Sequence, residues 1–264
     1  MNGSGAPTAR WYRLLPEGLR ARLRPLRRPA WSFFGASLWR ATGGTTAYGP
    51  FRGVRHGPVH FRATLAGTYE RELDDWFERL LEPSAAPFDH AIDVGGGTGY
   101  YAAGLALRLP LAPVTVFEMS AAARAVIGET LRRNGVAGRV DVHGECTSAT
   151  LADALAQGAR TLLVMDVEGA ERELLDPSLV IALTRVTILV ETHDVFAPGA
   201  HEMIKQRFAG THVVEERRGV PRTVADYPSG LLPRLRKLMP RTALASIDEM
   251  RMEPYGWLLL TPRS

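Results

Sequence analysis

The chain of 264 residues has one cysteine, Cys146, and two lysines, Lys205 and Lys237. A lone thiol rules out an intrachain disulfide and a cysteine-rich zinc site. With lysine so scarce, arginine is simply the usual cation, and the net charge of +4 is weak evidence for a nucleic-acid partner although arginines crowd the first sixty residues. No stretch approaches the roughly 18 consecutive apolar residues of a membrane span, and the N-terminus lacks the compact apolar core of a secretory signal. The expectation is a cytoplasmic protein. With 45% hydrophobic and 23% charged residues, the composition suits an ordinary globular fold.

Glycine is abundant in one place. Residues Phe88 to Tyr101 read FDHAIDVGGGTGYY. Ala91, Ile92 and Val94 make the short apolar run of a buried parallel strand, and the glycines follow at once, before a helical pattern that starts at Tyr100. A strand, a tight turn and a helix in succession let a ligand approach main-chain N–H groups at the positive end of the helix. The dinucleotide fingerprint G-x-G-x-x-G, counted from Gly95, needs glycine where Tyr100 stands, so a dehydrogenase loses most of its support. The spacing D-x-G-x-G-x-G fits at every position, from Asp93 through Gly95 and Gly97 to Gly99. The stretch resembles the first motif of the class I S-adenosylmethionine-dependent methyltransferases. That resemblance implies that Asp93 faces the methionine end of the cofactor while the loop passes beneath it. A purely structural turn uses the same glycines.

Along the chain, Arg10 to Leu26 has helical spacing of Trp11, Leu15, Leu19, Leu23 and Leu26 between arginines. A basic amphipathic helix of this kind can cover its own domain, lie on an anionic membrane or bind RNA. Residues 31–60 lack a clear period and read as a lid or substrate wall. One helix is expected from Phe61 to Leu81, with Tyr69 in the core and Glu70 in solvent at its middle. Further helices fall at Tyr101 to Leu109, Ala121 to Arg133, Ala152 to Ala156 and Ala200 to Phe208. Strands fall at Val114 to Phe117, Arg139 to Val142, Thr161 to Met165, around Ile188 to Glu191, and at His212 to Glu216. The last strand, Tyr255 to Leu260, returns antiparallel beside the sixth after an insertion at 223–253 that overhangs the active edge. The predicted fold is α/β, a Rossmann-like doubly wound sheet that is mostly parallel, in a domain 61–264 preceded by a basic helical arm 1–60.

In such sheets ligands sit beyond the carboxyl ends of the strands. Glu118, about 20 residues past the glycines, is placed to accept both ribose hydroxyls, with Met119 beside it. The resemblance further implies that Glu145 faces the adenine amino group. Cys146 lines the same wall, without a base or metal neighbour to activate it. The segments DVEGAERELLDP, from Asp166, and ILVETHD, to Asp194, resemble the FkbM-like branch of the same superfamily. Characterised members of that branch mostly methylate hydroxyl groups of natural products, often sugars.

Asp166 is expected to contact the cofactor's amine or the substrate. His193 is the expected general base, because a neutral imidazole works near pH 7 and Glu191 or Asp194 can orient it. The plain alternative is that His193 only caps a loop or binds a neighbouring carboxylate. Asp166 and Glu191 also occupy the places that hold magnesium in catechol O-methyltransferases, which implies a metal on those two carboxylates. The acceptor is expected to be a small molecule. A nucleic-acid methyltransferase is the competing enzyme, disfavoured because Asp166-Val167-Glu168-Gly169 stands where a base-flipping enzyme has Asn/Asp-Pro-Pro-Tyr. A cofactor-binding protein without catalysis is the third reading, and oligomeric state is not legible.

Overall fold

The computed structural model describes residues 33–57, 60–83, 88–249 and 255–263. The basic helix expected at Arg10 to Leu26 lies outside the described residues. Among those described, no helix is long and apolar enough to cross a membrane. The chain divides into two compact units.

The larger unit holds 54–57, 72–219 and 255–263 of the described residues. Its seven-stranded sheet runs β3-β2-β1-β4-β5-β7-β6. The strands are β1 (His90–Val94), β2 (Val114–Phe117), β3 (Val140–His143), β4 (Thr161–Met165), β5 (Thr187–Thr192), β6 (His212–Arg218) and β7 (Gly256–Pro262). The pairs from β3 across to β5 are parallel, and β7 runs antiparallel between β5 and β6. This is the doubly wound, mostly parallel sheet with a reversed strand that the apolar runs imply.

Every residue of β1, β2, β4 and β5 is buried. That explains why these strands read as continuous apolar runs and not as alternating ones, since helices cover both faces. Ile92, Leu163, Ile188, Leu258 and Leu260 share one core with Leu151, Leu183, Ile204 and Phe208. Each such side chain contributes about 1.5–3 kcal/mol by leaving water. Strand order reverses between β1 and β4, where Val94 lies opposite Met165 and the Asp166 N–H donates to the Val94 carbonyl at 2.9 Å. The two carboxyl ends are therefore level.

Local signals account for the helix boundaries. The Ser120 hydroxyl caps Ala121–Arg133, and Thr147 with Thr150 forms a capping box ahead of Ser148–Leu155. β6 extends beyond the expected Glu216 because Arg217 and Arg218 continue the ladder opposite Trp257 and Gly256 of β7, and an edge strand tolerates their charge. Arg217 there pairs with Asp75 and lies 4.5 Å over the Trp76 ring.

The smaller unit holds 33–53, 60–71 and 220–249 of the described residues. It contains a helix over 33–42, where the sequence showed no period. Phe34 and Leu38, one turn apart, are its buried side chains in the core, beside Leu65, Tyr227, Leu231, Ala243 and Ile247, with Trp39 packed against them from the edge. A stripe that narrow leaves little amphipathic signal.

The single helix expected from Phe61 to Leu81 is in fact broken. Arg62–Ala66 ends at Gly67 in the left-handed region, a 3-10 turn spans Arg71–Leu73, and Asp74–Leu80 follows. A Cβ on Gly67 would lie 2.1 Å from the Tyr48 carbonyl oxygen, so the backbone approach sets the break. The expected burial of the next pair is reversed: Glu70 is buried and Tyr69 only partly so. The Glu70 N–H donates to Glu249 (3.1 Å), which also pairs with buried Arg222 (2.7 Å).

On β6, Glu216 accepts hydrogen bonds from Lys205 at 2.7 Å and from His201 at 3.1 Å. The Lys205 bond first, then the His201 bond, pull its pKa from 4.5 to about 2. A depressed carboxylate pKa stabilises the fold above the unfolded value, and the contribution disappears as pH falls through the folded one. Thermal melts of wild type and Glu216→Gln are expected to differ at pH 6 and to converge between pH 4.5 and about 2.

Candidate active site

The turn after β1 works because of what its glycines lack. Gly95 has φ 94°, and a Cβ there would stand 1.8 Å from the Asp166 carbonyl oxygen, so the turn is pressed against the end of β4. Gly97 has φ 52°, and its missing side chain faces open space, the nearest atom being the Gly95 oxygen at 3.8 Å. Gly99 follows as the N-cap of the helix Tyr100–Arg108. The loop thus shows bare backbone on one side at a helix N-terminus, a surface suited to a close ligand.

Glu118, just past β2, braces this loop. One carboxylate oxygen accepts the Gly97 N–H at 3.0 Å and the other accepts the Ser120 N–H at 2.8 Å. Arg124 fixes the same corner by donating to the Glu118 and Met119 carbonyls, both at 2.8 Å. Glu118 is half-buried and keeps lone pairs for a further donor. Met119 is exposed, an apolar side chain on the rim. Asp93, within β1, is a buried carboxylate.

Glu145 is exposed, two residues past β3. Cys146 is half-buried against the sheet's core, so it is a wall residue only partly covered. Burial pushes its thiol up to about 12, which keeps it protonated and inert.

A second cluster forms where β4 and β5 end. His193 Nε2 lies 3.5 Å from an Asp166 oxygen and 3.6 Å from a Glu191 oxygen. Glu191 and His193 are buried, while the Asp166 side chain keeps 29% exposure. One donor atom from each of the three lies within 4.8 Å of the other two. The glycine turn touches this cluster through Asp166, whose backbone packs on Gly95. The half-exposed Phe196 ring stands 6.0 Å from the His193 ring and gives the site an apolar border.

Two sequence expectations change here. Asp194 does not orient His193; its carboxylate accepts the His201 N–H at 3.0 Å and caps the start of the helix Ala200–Phe208. The acid on the other side of His193 is Glu171, which lies inside the DVEGAERELLDP segment and has no role assigned from the sequence pattern. Glu171 is fully buried. It accepts the His193 N–H at 2.8 Å and the Gly169 N–H at 2.7 Å, and lies 3.6 Å from His193 Nδ1. Burial alone would raise its pKa; the His193 side chain and N–H and its own N–H outweigh that and hold the carboxyl below its ordinary value. An acid opening the short helix Glu171–Leu174 reads from sequence as a partner for the helix dipole, which hid this contact.

A third group, His201, Glu202 and Glu216, also gathers donor atoms. Lys205 already bridges both of its carboxylates, at 3.2 and 2.7 Å, so it is an ion-pair network on the surface.

No family model matches the chain, and no curated protein matches it. Solved structures similar to it include the O-methyltransferase TomG from Streptomyces achromogenes, involved in tomaymycin synthesis and in complex with SAM. That pair has 15% identity and a TM-score of 0.45, over 77% of this chain and 91% of that one. An O-methyltransferase from Bacillus cereus in complex with SAH has 12% identity and a TM-score of 0.41, covering 66% and 74%. Precorrin-6y C5,15-methyltransferase from Geobacter metallireducens has 14% identity and a TM-score of 0.44, covering 71% and 87%. At such identities neither substrate nor chemistry transfers from one protein to another.

The two loop glycines are expected to separate in a denaturant titration. Gly97→Ala places a methyl in open space at a left-handed position and costs about 1–2 kcal/mol. Gly95→Ala adds a collision with the β4 backbone and is expected to cost clearly more.

Proposed function

We propose that this chain is an S-adenosylmethionine-dependent methyltransferase that acts on a hydroxyl group of a small molecule. The observation that carries the reading is the Gly95–Gly99 turn, held by Glu118 through the Gly97 N–H and pressed against Asp166 at the point where strand order reverses. Bare backbone, a carboxylate at the end of β2 and a buried carboxylate in β1 suit the three parts of the donor. Glu118 accepts the ribose hydroxyls, Glu145 and Cys146 border the adenine with Met119 over it, and Asp93 and Asp166 complement the ammonium and sulfonium charges.

In the transfer step the acceptor oxygen attacks the methyl carbon in line with the carbon–sulfur bond, which breaks to leave the neutral thioether. His193 Nε2 takes the hydroxyl proton, and Asp166 and Glu191 stabilise the imidazolium that results. The motif resemblances at Asp166–Glu171 and Glu191–Asp194 support an acceptor among natural products, sugars included. Concentrated acid at this edge, Glu118, Glu145, Asp166 and Glu191, opposes a phosphate backbone and argues against a nucleic-acid acceptor.

The convergence of one imidazole and two carboxylates favours a second reading of the same edge, in which Asp166, Glu191 and His193 hold a divalent cation. The donor set fits such an ion; magnesium prefers all-oxygen ligands, so the imidazole shifts the expectation toward manganese, iron or zinc. Bound there, the ion would lower the pKa of the acceptor hydroxyl.

Calorimetry with S-adenosylhomocysteine is expected to show binding that weakens about tenfold or more in Asp93→Asn and Glu118→Ala and by less than twofold in His193→Ala. Absence of heat with folded wild-type protein overturns the proposal. Transfer of radiolabelled methyl groups into a panel of hydroxylated compounds is expected to slow about 100-fold or more in His193→Ala. Activity that is unchanged after exhaustive chelation leaves His193 as base; activity lost on chelation and restored by manganese makes it a ligand.

A further inference from the structure

The acids around His193 are not equivalent, and the difference shows which ring nitrogen can exchange its proton. Glu171 is fully buried, and both of its oxygens are engaged by N–H groups from two separate loops, Gly169 after β4 and His193 after β5. It cannot turn away without leaving the buried His193 N–H and the part-buried Gly169 N–H unpaired. The oxygen that accepts the His193 N–H is the same one that lies 3.6 Å from Nδ1. Nε2 faces the other way, toward Asp166, which keeps contact with solvent, and Glu191.

We infer that Glu171 is a positioning residue that keeps a proton on His193 Nδ1, so that Nε2 is the working nitrogen of the ring. This rests on the reading of His193 given above. A bare Nδ1 would turn its lone pair toward a fixed carboxylate in a dry site, where that repulsion is strongest. A proton on Nδ1 has no water to leave to, because Nδ1 is itself buried and faces a fully buried carboxylate. On the Nε2 side, Asp166 opens to solvent and to the place where the acceptor enters. At 3.6 Å the Nδ1–Glu171 contact is longer than a hydrogen bond; such contacts are often long in ligand-free sites and tighten in the complex. The same arrangement serves a proton or a cation at Nε2, since a ligating histidine is commonly held through its other nitrogen by a carboxylate. Glu171 therefore acts through His193 and does not touch the reacting atoms.

The test is a long-range proton–nitrogen correlation spectrum of the full chain labelled with 15N-histidine, recorded with and without S-adenosylhomocysteine. The His193 signals are identified by their loss in His193→Gln. A protonated Nδ1, whatever Nε2 carries, is the expected result; a bare Nδ1 overturns the inference. In Glu171→Gln one oxygen must serve two N–H groups, and the protonated share of Nδ1 is expected to fall. Methyl transfer is expected to drop about tenfold or more, with S-adenosylhomocysteine affinity within twofold of wild type. A wild-type tautomer in a folded Glu171→Gln shows that another group sets it and overturns the inference equally. Should that variant fail to fold, the wild-type spectrum decides alone. If S-adenosylhomocysteine does not bind, the methyltransferase reading fails, and the spectrum of the unliganded chain still settles the tautomer.

Discussion

The structure depends on one close approach, the contact between the backbone of Gly95 and the carbonyl oxygen of Asp166. Val94 and Met165 are paired in register, so β1 and β4 stop at the same level and their following residues must share a small space. With no Cβ at residue 95 they can. The turn then lies flat against the end of β4, the Tyr100–Arg108 helix starts where a ligand can reach its N–H groups, and Asp166 is carried to the loop's flank. Two sheet ends that would otherwise be separate pockets become one site.

The acids of that site solve the problem of buried charge in different ways. Glu118 spends its charge on the N–H groups of Gly97 and Ser120, so it builds the loop as well as being available to a ligand. Glu171 is answered entirely by main chain and by His193. Asp166 keeps part of its surface in water. A buried carboxylate is costly unless hydrogen-bonded or balanced by a cation. A cluster that mixes these solutions leaves carboxylate charge facing the His193 ring, which suits the positive charge that the proposed reaction brings there.

Much of the sheet was legible because parallel strands covered on both faces must be apolar throughout. β2 and β4 have the very limits expected, and the helices Ala121–Arg133 and Ala200–Phe208 do too. The failures are equally physical. The break at Gly67 is set by the Tyr48 carbonyl, nineteen residues away in the chain, and no local propensity reports that. The helix at 33–42 buries one side chain per turn, so its periodicity is nearly silent. In the site, residues on the glycine turn were found because spacing encodes backbone shape. Glu171 went unassigned because its partner, the N–H of His193, belongs to another strand's loop and carries no side-chain signature.

The two halves of the site also differ in what fixes them. The turn is held by the side chains its glycines lack, by main-chain hydrogen bonds and by the Glu118 carboxylate on the Gly97 N–H. The imidazole cluster brings side chains together at 3.5 and 3.6 Å on its outer flank, and Glu171 ties its inner side to the His193 main chain. Methyl transfer from a sulfonium demands little beyond alignment, and alignment is worth several kcal/mol of the barrier. Under the proposed function the turn aligns the donor and the cluster aligns the acceptor, so the two divide that demand. On that proposal the glycine turn serves the constant part of the reaction and the His193 cluster the part that sets the acceptor.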